Sequence, residues 1–213
     1  MKNIHSKYLP FLVLPAILIF SGCSSIKLNK SASVDSINLS NYIKHGEPLA
    51  IMPFETDNAL SNLGSLVSDE VTANLLENIK GIKIIPTSIS RGLLQTIGTP
   101  INGIPDYHTI HSLSKGLKCR YLLTGNFYSS IGDVRYTNSS VSRIATGSVT
   151  IRLIDCDSAV VIWAKHVEDS YQTTSYYNLS GGQPAVYYTD GQLMQSLIKK
   201  IGSNVARYFY SEE

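Results

Sequence analysis

The chain has 213 residues, 43% of them hydrophobic and 16% charged, with 15 Gly, 8 Pro and a formal net charge of +2. That length suits one domain with extensions, and the composition excludes a mostly disordered or collagen-like chain. So small a net charge gives no reason to expect nucleic acid as a partner. With 3 Cys, neither a disulfide scaffold nor a structural zinc site is expected.

Lys2 and Lys7 precede or open an apolar run over residues 9–20, which contains Pro10 and Pro15. A positive start and an apolar stretch of this length predict a secretory signal peptide. The prolines and the short length argue against a permanent spanning helix. Ser21-Gly22-Cys23-Ser24-Ser25 follows. This resembles a bacterial lipobox, with Phe20 where Leu is usual, which implies cleavage before Cys23 and a diacylglycerol on it. The alternative is an ordinary signal peptide and an incidental cysteine. Each buried CH₂ contributes ~0.8 kcal/mol, so two or three acyl chains make a lasting membrane anchor. Ser24 in place of Asp implies, by resemblance to Gram-negative lipoproteins, the outer membrane. Residues 1–22 are therefore read as signal peptide, 23–47 as lipidated cysteine and flexible Ser-rich tether, and 48–213 as a periplasmic domain. The tether reaches roughly 80 Å extended and ~25–30 Å as a coil, so the domain is expected close to its membrane.

In the domain, Pro48-Leu49-Ala50-Ile51-Met52-Pro53-Phe54 predicts a short buried strand. Over residues 60–80, Leu63, Leu66, Val67, Val71, Leu75 and Ile79 recur at helical spacing and mark one buried face, with Gly81 as the stop. Ile82 to Pro86 predicts a second strand. Thr87-Ser88 is expected to cap a helix over 89–97, closed by Gly98, and a third helix is expected over 107–117. Strand, helix and strand in this order imply parallel pairing.

The second half reads differently. Strands are predicted over 120–128 and 148–154, the latter with Val149, Ile151 and Leu153 on one face and Ser148, Thr150 and Arg152 on a wetter one. Asp155 to Ser158 is turn chemistry, and 160–167 returns as a hairpin strand carrying the only tryptophan, Trp163. Leu193, Leu197, Ile201, Val205 and Phe209 mark a closing amphipathic helix. The fold class is α/β: a mixed sheet, parallel in its first half and antiparallel in its second, packed with helices. Residues 129–145 and 171–189 are expected to be loops.

Catalytic signals are weak. His108 and His111, at i and i+3 of one helix, suit a metal only with further ligands, and none lies nearby in sequence; a solvated helix face is the better reading. Gly181-Gly182 reads as a turn, and no serine sits in a nucleophile elbow. No catalytic residue, metal or cofactor is assigned. If the strand after Cys119 and the strand before Cys156 pair as antiparallel neighbours with those cysteines opposed, Phe127 faces Ser148 and the cysteines meet at the open end. They are then a candidate disulfide, contributing ~3 kcal/mol, or else two buried free thiols.

Three segments in order carry a resemblance: Leu49-Ala50-Ile51-Met52-Pro53-Phe54-Glu55 before a long helix, Leu117-Lys118-Cys119-Arg120-Tyr121-Leu122-Leu123-Thr124-Gly125-Asn126, and Val149 to Asp155 with its return through Trp163. Together with the lipobox they resemble an envelope superfamily. It includes the curli secretion lipoprotein CsgG, the penicillin-binding-protein activator lipoproteins and the amino-terminal domain of TolB. The hairpin turn departs from the family's usual Thr-Gly-Glu, with Asp157-Ser158-Ala159 in its place. The resemblance implies a non-catalytic role: an outer-membrane lipoprotein that binds other envelope proteins, self-associates, and serves assembly or transport. The alternative it implies is an activator of a peptidoglycan synthase, which the short tether disfavours; a metal-dependent or hydrolytic enzyme comes third. Tyr171, Tyr176, Tyr177, Tyr187 and Tyr188 crowd the second loop and are candidate partner contacts, since tyrosine is enriched at interfaces; plain surface tyrosines are the other reading.

Overall fold

Pro48–Ile51 form β1, whose last three residues are buried. It lies between β3 (Lys83–Ile85) and β4 (Tyr121–Ile131), parallel to both. This is the parallel half that the strand–helix–strand order implies. The short β2 (Glu55–Thr56) also runs parallel to β4. Beyond β4 the sheet turns antiparallel: β4 pairs with β6 (Ser140–Asp155), and β6 pairs with β7 (Val160–Tyr176). The two-residue β5 (Arg135–Tyr136) pairs with the start of β6. The structure is a computed structural model and describes residues 47–56, 62–98, 104–137, 140–176 and 188–210. Cys23, the signal peptide and the tether up to residue 46 lie outside the described residues.

Helices fill both sides of this mixed sheet. Helix α1 (Leu63–Asn78) and the closing helix α4 (Asp190–Arg207) pack on one face. There Val67, Val71 and Leu75 of α1 and Leu193, Leu197, Ile201 and Val205 of α4 meet Leu49, Ile51, Leu123, Phe127, Val149, Ile151 and Leu153 of the strands. Complete burial of each such side chain stabilises by roughly 1.5–3 kcal/mol. Helices α2 (Thr87–Ile97) and α3 (Tyr107–Leu117) cover part of the other face, over Ala50, Met52, Leu122 and Ile154. The approach of α1 is close. A Cβ at Gly64 would stand 2.0 Å from the Phe54 carbonyl oxygen, so only glycine fits there.

Helix ends follow local chemistry. Asp106 caps α3 by accepting from the Thr109 amide at 2.7 Å. Thr189 and Gln192 form a capping box at the start of α4. Gly98 closes α2 in the left-handed region, as expected. The expected Thr87-Ser88 cap is corrected: Thr87 is the first helical residue, and Pro86 precedes it with no side-chain capping bond. Proline's fixed φ suits a helix start without a side-chain oxygen. Leu66 also departs from its expected place in the buried face of α1, being 43% exposed. Val67, Ser68 and Val71 occupy the seam toward the sheet instead.

Two sequence expectations about the antiparallel half need correction. The register is one residue from the expected one: Phe127 lies opposite Val149, and Tyr128 opposite Ser148. A one-residue slip sends every side chain to the other face. Pairing Phe127 with Ser148 would oppose the apolar stripe Leu123, Phe127 to the wetter face of β6, so burial selects the observed register. The strands are also longer than expected. β6 begins at Ser140 and β7 runs to Tyr176, so much of 129–145 and the start of 171–189 are paired strand. Polar residues on one side concealed this, while Val141 and Ala145 are buried on the other.

Candidate functional site

Strand alternation sorts the antiparallel half into two unlike faces. Odd-numbered residues of β4 and β6, with Trp163, Val167 and Tyr171 of β7, point to α1 and α4. Trp163 packs edge-on to Phe209, with ring centroids 4.9 Å apart. Even-numbered residues form rows across three strands on the opposite side. The register gives Thr124–Arg152–Ala164, Asn126–Thr150–His166, Tyr128–Ser148–Glu168 and Ser130–Thr146–Ser170. On β7 each of Ala164, His166, Glu168, Ser170, Gln172 and Thr174 is exposed. Helices α2 and α3 cover only one end of these three strands, at Leu122, Ile154 and Val161. Thr124 beside them is still buried, and from Asn126 onward the sheet shows a bare polar face among the described residues.

The face is organised rather than merely wet. Asn126 donates to Glu55 Oε2 at 3.0 Å, and its Oδ1 accepts from Arg152 Nη1 at 2.9 Å. In the next strand His166 joins Thr150 Oγ1 at 2.9 Å and Glu168 Oε1 at 3.1 Å. Ser130 and Thr146 share a hydrogen bond of 2.8 Å. Tyr128, 43% exposed, stands beside them. The rows from Tyr128 to Ser170 enclose an open groove of about 700 Å³. Such a surface offers one aromatic ring, hydroxyls, a guanidinium and carboxylates to an incoming molecule. These are groups for recognition by hydrogen bonding and stacking.

The sequence-predicted residues fall elsewhere. Tyr171 and Tyr188 are partly buried against the main core on the α4 side, where the Tyr188 carbonyl accepts from Arg143 Nη1 at 2.7 Å. Arg143 also pairs with Asp190 of α4. Tyr176 is 68% exposed near the end of β7. Tyr177 and Tyr187 lie outside the described residues. The described tyrosines are thus divided between the two sides of β7 rather than gathered into one patch. His108 and His111 are both exposed on α3, and His111 meets the Tyr107 hydroxyl at 3.1 Å. Among the described residues no group of three His, Cys, Asp or Glu side chains is placed to hold a metal, and no helix is long and apolar enough to cross a membrane. Cys119 and Cys156 are both buried and unbonded.

Sequence reasoning missed Tyr128, His166 and Glu168. It had separated Ser148, Thr150 and Arg152 as a wetter face. Carrying that alternation through 140–147 and 168–176 was the signal that would have found the rest.

No protein-family model matches the chain, and no curated protein matches it. Solved structures of related shape include a PelC dodecamer from Paraburkholderia phytofirmans, 15% identical, covering 79% of this chain and 92% of that one at a TM-score of 0.36. Another is the LpoB C-terminal domain from Salmonella enterica, 14% identical over 60% of this chain and 84% of that one, TM-score 0.38. A lipoprotein from Neisseria meningitidis is 16% identical over 76% and 99%, TM-score 0.39. Likeness at this level says nothing of what this chain does.

Proposed function

We propose that this chain is a lipid-anchored envelope protein whose α/β domain acts by binding another protein, without catalysis, through the bare face of β4, β6 and β7. One observation carries the reading: one side of these strands is closed by α1 and α4, while the other, from Asn126 onward, presents three rows of mostly polar side chains in fixed register, with no helix over them among the described residues. The Cys23 lipobox supplies the anchor and the tether sets the working distance from an outer membrane. Self-association through the same domain fits this role.

The test places a photoreactive residue at Tyr128, Ser148 or Glu168 in the otherwise intact chain, with Glu77 and Lys199 on the helices as controls. The expected result is one defined protein adduct from the face positions, formed again between the purified partners, and none from the helices. Equal adducts from all positions, or none from the face, would overturn the reading. Labelling with a radioactive fatty acid, lost in Cys23→Ser, tests the anchor separately.

A further inference from the structure

Away from the bare face, the domain holds a pair of thiols for which binding has no use. Cys119 and Cys156 are 4% and 0% exposed and share the layer beneath α3 with Leu122 and Ile154. β6 ends at Asp155, yet the Cys156 amide still donates to the Arg120 carbonyl at 2.8 Å. The backbone at 156 therefore lies across from that at 120, one residue from Cys119. With strands ~4.8 Å apart and one residue of stagger, the two Cα atoms stand roughly 6 Å apart, inside the spacing that a disulfide spans. β4 starts only at Tyr121, so strand alternation does not govern Cys119. Lys118, with φ +52, turns the chain out of α3. The Cys119 amide donates to the Ser114 carbonyl at 3.2 Å, and the Ser114 hydroxyl donates to the Cys119 carbonyl at 2.6 Å. Held in this way, Cys119 turns its side chain into the layer that contains Cys156. The two thiols are close enough to influence each other's titration: the interaction with Cys119, with burial adding to it, pushes the Cys156 thiol above its ordinary value, and the interaction with Cys156 holds Cys119 below.

We propose that Cys119 and Cys156 are a disulfide-forming pair, closed as the chain folds in an oxidising compartment. The oxidant is another disulfide, of a small molecule or of a protein. The thiolate of one cysteine attacks one of its sulfurs, and the other leaves as a thiolate. The thiolate of the second cysteine then attacks the sulfur of the first, which breaks the mixed disulfide and releases the second thiolate. Two electrons and two protons pass from the cysteine pair to the oxidant, which ends as two thiols. Because both side chains are buried in the finished domain, the exchange belongs to folding, before the α3 layer closes.

For its compartment the proposal rests on the envelope reading, so the test has two arms. In cells, free thiols are trapped by alkylation, and the mature protein is analysed by mass with and without reductant. The lipid-modified chain is expected to take no alkyl group until reduced and two afterwards, with the peptides of Cys119 and Cys156 linked. A lipid-modified chain with both thiols alkylated before reduction would overturn the proposal and leave the anchor reading intact. If the chain carries no lipid, the anchor reading fails alone, and the second arm decides. The full chain with Cys23→Ser is unfolded, reduced and refolded in glutathione buffers of rising oxidised fraction. A bond that closes before glutathione itself is half oxidised supports the pair, and thiols still free in oxidised glutathione alone overturn it.

Discussion

Replacing Gly64 by alanine sets two effects of opposite sign against each other. On an open helix surface alanine is favoured over glycine by ~1 kcal/mol. Gly92 in α2 is such a site, with nothing within 4 Å of an added Cβ, so Gly92→Ala is expected to stabilise by about 1 kcal/mol. At Gly64 the added Cβ would fall 2.0 Å from the Phe54 carbonyl oxygen, 2.7 Å from its carbon and 3.0 Å from Thr56 Cγ2. Carbon–oxygen contacts are comfortable only from ~3.3 Å. Either the first turn of α1 or the segment after β1 must give way, and Phe54 is itself only 4% exposed. Overpacking of this kind costs ~3 kcal/mol, which leaves a net loss of about 2 kcal/mol after the helix gain. For a chain of this size Tm then falls by ~4–8 °C, whereas Gly92→Ala raises it by ~2–4 °C. Urea unfolding followed by Trp163 fluorescence reads both, since that ring is seated on Phe209. If Gly64→Ala raises the midpoint as Gly92→Ala does, α1 is not seated on Phe54 and the described packing of Val67, Val71 and Leu75 is wrong.

The hairpin turn offers a gain: Ala159 adopts φ +54, a region glycine enters without strain, so Ala159→Gly is expected to raise stability by about 0.5–1 kcal/mol in the same urea assay; a loss would mean that packing of its methyl outweighs the strain. Asp169 pairs with Lys200 at 2.7 Å and accepts from Asn204 at 2.6 Å. Burial pushes its carboxyl up, but Lys200, the Ser170 amide and Asn204 outweigh this and hold it below the ordinary 3.8. Its stabilisation is therefore full above the unfolded value and is lost as pH falls through the folded one. Asp169→Asn is expected to destabilise at neutral pH, with the gap to wild type closing as the medium is acidified below about pH 4; a gap independent of pH refutes the pairing. Closing the Cys119–Cys156 bond is expected to raise unfolding free energy by ~3 kcal/mol over the reduced chain, read as a higher urea midpoint, and equal midpoints would show that the bond constrains nothing.

The helices were the most legible part of this chain. Tyr107–Leu117 stands where its apolar spacing puts it, and the closing helix carries Leu193, Leu197, Ile201 and Val205 into the core as their spacing requires. Parallel pairing of β1 with β3 followed from the order of elements alone, whereas the parallel pairing of β1 with β4 did not. Register did not follow, because the expected pairing was anchored on two cysteines at a strand end, where Cys119 is outside the ladder. The lengths of β6 and β7 escaped for a different reason. A strand buried on one side shows only every second residue as apolar, and between 140 and 147 the sequence offers just Val141, Ile144 and Ala145. Ile144 falls on the side opposite Val141 and Ala145, which broke the apparent period. The bare face was therefore visible at Ser148, Thr150 and Arg152 and invisible beyond them.

Where the chain enters the sheet bears on how such a face is used. Glu47 precedes β1 and lies by Arg120, next to the start of β4, with an ion-pair distance of 3.9 Å. β1 and β4 run in the same direction, so the chain enters the domain at the end where Tyr121 faces Asp155. The row Ser130–Thr146–Ser170 lies nine residues further along β4, roughly 30 Å away at strand rise. The groove is thus set toward the end of the sheet remote from the point of attachment. A macromolecule approaching that end meets hydroxyls, Tyr128 and Glu168, and Glu47, where the described chain begins, lies at the opposite end. This ties the two halves of the proposal together: moving the anchor point to the other end of the strands, by circular permutation in the β4–β5 connection at residues 132–134, is expected to weaken partner capture at Tyr128 while leaving the fold intact.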